Sequence, residues 1–360
     1  VGGSAGDALT DGGVNTLIGY DAGGLLTSGG SNVAVGAYAL KTEDGHGFNV
    51  AVGYSALEAL NAGVNAYNVG VGYKAGEAMT TGVNNIIIGG LAGDALTTGS
   101  YNVAIGHLAL TNEDTHGYNV AIGYQALKVQ DAGTDAYNVA IGYNAGVDIS
   151  TGVRNTLIGT SAGDALTTGN YNVGLGMYAL STEDGGSYNV AIGYEALRVQ
   201  DAGANAYNVA VGYAAGAAVS TGVNNTLIGA QAGDALTTGA YNVAVGKGAL
   251  STEDTGGTNT AIGYTALTTL NTGDAYNVAV GFQAGYAMST GIQNTIIGGL
   301  AGDALTTGGY NVAIGYAALS TEDSHGKNVA IGHGSLFALD AGTDAYNVAV
   351  GYEAGNSVST

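Results

Sequence analysis

The sequence predicts an all-β chain wound as a parallel β-solenoid of about 20 stacked rungs. Three observations predict it. A phrase N-x-x-(I/V/L)-G recurs from one end of the chain to the other, as in YNVAIGYQAL (118–127) and YNVAIGYEAL (188–197). Its spacing is 17, 17, 19 and 17 residues and then repeats, a higher-order period of 70. Between the Asn and the Gly stand β-branched residues, the composition of a short strand.

The Asn opens each rung, at Asn15, Asn32, Asn49 and Asn68 in the first cycle and at the same phase onward to Asn347. Gly stands four residues after every Asn, so that Asn119 pairs with Gly123, Asn138 with Gly142, Asn189 with Gly193 and Asn208 with Gly212. These Asn and Gly positions are the predicted structural ladders. Gly turns the chain because it alone reaches positive φ without steric cost. Ala follows seven after the Asn in all rungs but one, where Ser335 replaces it. One spacing, from Asn259 to Asn277, is 18 residues. The missing residue falls in LNTGDAY (270–276), which marks that stretch as a surface loop. The second half of each rung reads as a short strand or turn. A single helical turn is the alternative, since SALEALNAG (55–63) spaces Ala56, Leu57 and Leu60 helically and ends on Gly63.

A unit of 17 residues buries no core alone, whereas stacked units do. Strands about 4.8 Å apart would make 20 rungs into a rod roughly 95 Å long. The unbroken period predicts a single elongated domain over 1–360, although length alone would suggest two or three. The chain opens at Val1 and stops at Thr360 part-way through a rung, which predicts a segment of a longer protein or a processed product.

Composition narrows the classes. The hydrophobic share of 46% is that of a folded chain, and Gly, though 66 in number, lacks the collagen period. Seven basic against 28 acidic residues give a net charge of −21, which repels nucleic acid and anionic membrane surfaces. There is no Cys for disulfides or thiol chemistry, and no apolar stretch long enough to span a membrane.

Strand side chains alternate between faces. With Val190 and Ile192 directed into the rung, Ala191 faces outward, and the outward column includes Ala104, Ala121, Ala140, Ala191 and Ala210. That column holds no charged residue, so it predicts a covered face that meets another part of the rung or another subunit; the small Ala and Gly favour close approach, and a subunit-facing stripe in a homo-oligomer is the reading taken. In the rungs opening at Asn15, Asn155, Asn225 and Asn294 the strand reads N-T-(L/I)-I-G, with the bulky residue outward and Thr inside or at the edge.

Acidic pairs recur at one phase: Glu43–Asp44, Glu113–Asp114, Glu183–Asp184, Glu253–Asp254 and Glu322–Asp323. The next rung brings Asp131, Asp201 or Asp340 to a nearby height. Glu113, Asp114 and Asp131, and Glu183, Asp184 and Asp201, are therefore Ca²⁺ candidates, because this hard ion takes several oxygens. The simpler reading is a solvated acidic loop, and the G-G-x-G-x-D phrase of calcium-binding rolls is absent. Tyrosines form two columns, one before the Asn (Tyr118, Tyr188) and one after the Gly (Tyr124, Tyr194). They read as stacking ladders, with a sugar-binding platform as the alternative. Thr97–Thr98 and their equivalents suggest an ice-binding array, but acidic loops interrupt it. The five His fall at irregular positions, and no nucleophile–base–acid set presents itself; no enzyme and no cofactor are expected.

The phrase N-V-A-I-G-Y-x-A-(G/L)…T-T-G-x-x-N, with its strand core at 119–123, 189–193 and 311–315, resembles the repeats of phage tail-fibre proteins and of YadA-like trimeric autotransporter adhesin heads. The resemblance runs the length of the chain. It implies a trimer of left-handed parallel β-rolls on an extracellular or virion-borne fibre, presenting loops to a cell-surface glycan or protein receptor. The present rungs are longer than the adhesin's and call for larger loops. Two other readings stay open: a self-assembling filament subunit, and a calcium- or ice-binding solenoid.

Overall fold

In a computed structural model, which describes residues 2–359, the chain is all-β, a parallel β-solenoid. Twenty three-residue strands, numbered in chain order, occur among the described residues, and no helix. The chain forms two compact units, Val1–Tyr178 and Ala179–Thr360. The first carries β1 (Thr16–Ile18) to β10 (Val173–Leu175), the second β11 (Val190–Ile192) to β20 (Val348–Val350). Within each unit every strand pairs in parallel with the strand one turn away, without slippage. Between β7 (Val120–Ile122) and β8 (Val139–Ile141), for example, Val120 lies against Val139, Ala121 against Ala140 and Ile122 against Ile141.

The Asn ladder holds that register. The N–H of Asn155 donates to Oδ1 of Asn138 at 2.8 Å, and the N–H of Asn225 to Oδ1 of Asn208 at 2.8 Å. In most turns the same side chain donates from Nδ2 to the carbonyl 14 residues on: Asn138 to Gly152 and Asn208 to Gly222, both at 2.7 Å. From Asn32 to Asn328 these side chains are almost wholly buried. Each joins its own turn to the next, and the amide groups are satisfied only when successive turns are in register. Beside it runs the Gly ladder. Gly123 has φ +136°, and a Cβ there would run into the carbonyl of Gly142 in the next turn. Conformation and close approach thus both demand glycine.

The strand faces are the reverse of the sequence expectation. Ala104, Ala121, Ala140, Ala191 and Ala210 are fully buried in the chain's own interior, against Leu110, Leu127, Leu197 and their equivalents. They are no subunit-facing stripe. Val190 and Ile192 point outward. The reason is the alternation itself: the buried Asn sits on the inner face, so the residue two further on shares it.

The interior accepts one bulky side chain where its neighbour is small, and the rungs with a leucine at the strand centre show it. Leu157 and Leu227 stand inside, and Thr156 and Thr226 outside, again opposite to expectation. Six residues on, Gly163 and Gly233 make room: a Cβ on either would lie 2.8 Å from a methyl of that leucine. Where the strand centre is Ala104, the equivalent position is Leu110. Close-packed interiors permit such exchanges only at near-constant volume.

Nor does a helical turn form in the second half of a rung. Leu57, within the stretch suggested for one, has φ +49°, and Glu195 and Leu197 have +55° and +47°. Left-handed residues at alternate positions rule out an α-helix. Their N–H groups bond across turns instead, as from Leu197 to the Ala215 carbonyl at 3.1 Å. Around the shortened stretch, Asn271, Gly273 and Asp274 are exposed, as expected of a surface loop.

Two substitutions test the ladders. Gly123→Ala and Asn138→Ala should each destabilise the first unit by about 2–4 kcal/mol, the first through backbone collision and strain, the second through orphaned buried amides. The check is the urea midpoint followed by circular dichroism, with Ile141→Thr on the outer face as a control that shifts it by less than about 1 kcal/mol.

Candidate functional site

Two features of each turn stand apart from the scaffold: the acidic loop and the outer sheet face. In the acidic loop the Glu is fully buried and its neighbours are not. Glu43, Glu113, Glu183, Glu253 and Glu322 all have zero exposure. Each turns its carboxylate back onto its own loop, where Oε1 accepts the N–H three residues on: from His116 at 3.0 Å for Glu113 and from Gly186 at 2.6 Å for Glu183. The loop is tied to the preceding turn as well, since the Thr97 hydroxyl donates to the Asp114 carbonyl at 2.7 Å and Thr237 to Asp254 at 2.8 Å. Hydroxyls engaged in this way are structural, which counts against a free ice-binding array.

The Ca²⁺ candidates of the sequence come together in two groups. Glu113, Asp114 and Asp131 form one with His116, and Glu183, Asp184 and Asp201 form the other, with ligand atoms within 4.8 Å of one another. Glu43–Asp44–His46 and Glu322–Asp323–His325 gather likewise, without Asp340. Three of the five His are therefore not scattered: His46, His116 and His325 each stand three after the buried Glu. The signal was legible in E-D-x-H-G at 43–47, 113–117 and 322–326. Burial pushes the Glu113 and Glu253 carboxyls up, partly offset by the backbone N–H groups they accept. It pushes Glu183 to about 7, and Asp201 and Asp184 add to the rise.

On the outer face, each turn presents the residue before the Asn, the first and third strand residues and the residue after the Gly. In one turn these are Tyr188, Val190, Ile192 and Tyr194. None of the 28 acidic residues occupies any of these columns. The Tyr columns stack from turn to turn as the sequence suggests. Tyr118 lies 5.0 Å from both Tyr101 and Tyr137, at interplanar angles of 12° and 17°. Tyr124 and Tyr143 stack at 5.2 Å, and Tyr188 and Tyr207 at 5.0 Å. The rings follow the strand spacing, and such pairs contribute about 0.5–1.5 kcal/mol each beyond their area. Their outer edges stay accessible, Tyr137 at 47% and Tyr207 at 51%.

No family model, curated protein or solved structure matches the chain.

The raised Glu183 carboxyl sets a pH dependence. Its folded pKa lies above the ordinary 4.5, so between 4.5 and about 7 the folded state binds more protons than the unfolded. Stability from this group is complete below 4.5 and is lost as pH rises through 7. The thermal midpoint of the second unit should fall over that window, and Glu183→Gln should flatten the fall. An unchanged pH profile in the variant would refute the assignment.

Proposed function

We propose that this chain is a structural fibre or adhesin segment, extracellular or virion-borne, that associates with further copies of itself through its outer sheet face. The observation that carries the reading is the Tyr–Val–Ile–Tyr band, free of acidic residues on a chain of net charge −21. A face of this kind, on which Arg154, Lys247 and Lys327 are the only Lys or Arg and no acidic residue stands, is a face meant to be covered. In one unit, ten strands about 4.8 Å apart and some 20 Å of strand width give about 900 Å², close to the roughly 800 Å² that each partner contributes to a stable complex. Matching repeats on two copies would also set their turns at the same heights, so that Tyr columns meet Val and Ile columns along the whole face.

A trimer is the form implied by the resemblance to tail-fibre and adhesin-head repeats. In it the acidic loops face water, where like charge keeps assembled fibres apart. Any receptor, glycan or protein, would meet the variable loops at 41–47, 111–117, 181–187, 251–257 and 320–326. The repeated turn serves extension of a stiff element, and the loops give it identity.

Light scattering at several concentrations tests this. A fixed mass of three chains is expected. Ile122→Lys together with Ile141→Lys should lower it to that of one chain while leaving the circular dichroism unchanged, because both residues lie outside the core. A single-chain mass for the unsubstituted protein at all concentrations would overturn the proposal, and mass that grows without limit would favour a filament subunit.

A further inference from the structure

We propose that Glu113, Asp114, His116 and Asp131 bind a divalent transition ion of the Zn²⁺ or Co²⁺ kind, and that Glu43, Asp44 and His46 form a second such site one 70-residue cycle earlier. The clusters alone would not carry this, because acidic loops are common on an acidic protein. What carries it is a buried carboxylate oxygen without a partner joined to an imidazole three residues on; Glu183 Oε2 is likewise unpartnered, but Gly186 supplies no imidazole there. The Glu113 side chain has no exposure, and its Oε2 is buried without a hydrogen-bond partner. Glu43 repeats this, and there Nδ1 of His46 is a second buried atom without a partner. Unpaired acceptors of this kind are costly, and a cation that accepts their lone pairs removes the cost.

The geometry fits. His116 Nδ1 lies 3.4 Å from Glu113 Oε1, and His46 Nδ1 lies 3.5 Å from Glu43 Oε1. Two ligands on a tetrahedral ion with bonds of about 2.1 Å stand roughly 3.4 Å apart. Oε1 already accepts the His116 N–H, which fixes the carboxylate, and its second lone pair stays available. At His116 the Thr115 hydroxyl lies 3.0 Å from the same nitrogen and must turn away; at His46 the preceding residue is Gly45, which has no hydroxyl to turn.

A mixed nitrogen–oxygen set selects the kind of ion. Imidazole suits Zn²⁺ and its neighbours, whereas Ca²⁺ takes oxygen alone. The remaining loops serve as internal controls. Gly186 and Gly256 stand where the His would be. Beside His325, the outer oxygen of Glu322 already accepts the Ala341 N–H at 3.5 Å, so that loop should bind more weakly.

Isothermal titration of the full chain with Zn²⁺, and the visible spectrum with Co²⁺, test the proposal. Two tight equivalents are expected, with Co²⁺ giving absorption of low-coordinate form. His46→Gln and His116→Gln should each weaken one equivalent at least about ten-fold, and together abolish both. Circular dichroism of the variants checks the fold, and since the two imidazoles are partly exposed it should not change. A millimolar excess of Ca²⁺ should displace neither ion. The proposal is overturned by an absence of binding, by tight Zn²⁺ binding that survives in the folded double variant beyond the weak binding expected of the His325 loop, or by Ca²⁺ binding as tightly as Zn²⁺, which would mark a carboxylate-only site.

Discussion

One interaction disciplines the whole chain: the buried Asn that accepts the next turn's N–H on Oδ1. A side-chain amide with no access to water must find its partners inside the protein. Here those partners lie one turn on, at Asn155 N and Gly152 O for Asn138. A turn displaced along the strand by one residue would orphan them and would also turn each strand's inner residues outward. Every turn repeats the constraint, so register is specified locally and each unit is built by nearest-neighbour contacts, as in other solenoids. The Gly column follows from the same stacking, since the backbones pass too closely there for any Cβ.

With register fixed, the interior is narrow and its volume must be shared. Ala, one larger aliphatic residue and Asn fill a typical turn. When Leu157 or Leu227 takes the strand centre, Gly163 or Gly233 yields the space. The larger β-branched residues are thereby placed on the outside, flanked by tyrosines. An apolar outer face is thus a consequence of the small core, and the proposed self-association would give that face a use. The acidic residues are left to the loops, where the same stacking lays the carboxylates of neighbouring turns side by side.

Much of this was legible in the sequence. The Asn and Gly ladders, the number of turns, the surface loop around Asn271, Gly273 and Asp274 and the Tyr stacks all follow from phased spacing, because stacked repeats bring like residues together whatever the details of the turn. Orientation was misread. The uncharged Ala column suggested a contact face, yet the alternation counted from a buried Asn places Ala191 inside. Apolar content on both faces of a three-residue strand does not say which is which. The helical turn was misread because left-handed conformations at Leu57 and Leu197 carry no residue signature: leucine seldom adopts them, and only the cross-turn bonds of the stack hold them. The His positions were overlooked because they were compared with one another and not with the Glu three residues before.

The reading of the chain as a fibre element rests on turns that lie one over another within a unit. Electron–electron distances between spin labels report this most directly. With no native Cys, paired labels at Tyr20 and Tyr73, three turns apart, and at Tyr20 and Tyr143, seven turns apart, can be diluted in unlabelled chain to exclude contacts between copies. Separations of about 14 Å and about 34 Å, rising by roughly 4.8 Å per turn, are the predicted result. Distances that fail to grow with the number of intervening turns would contradict it.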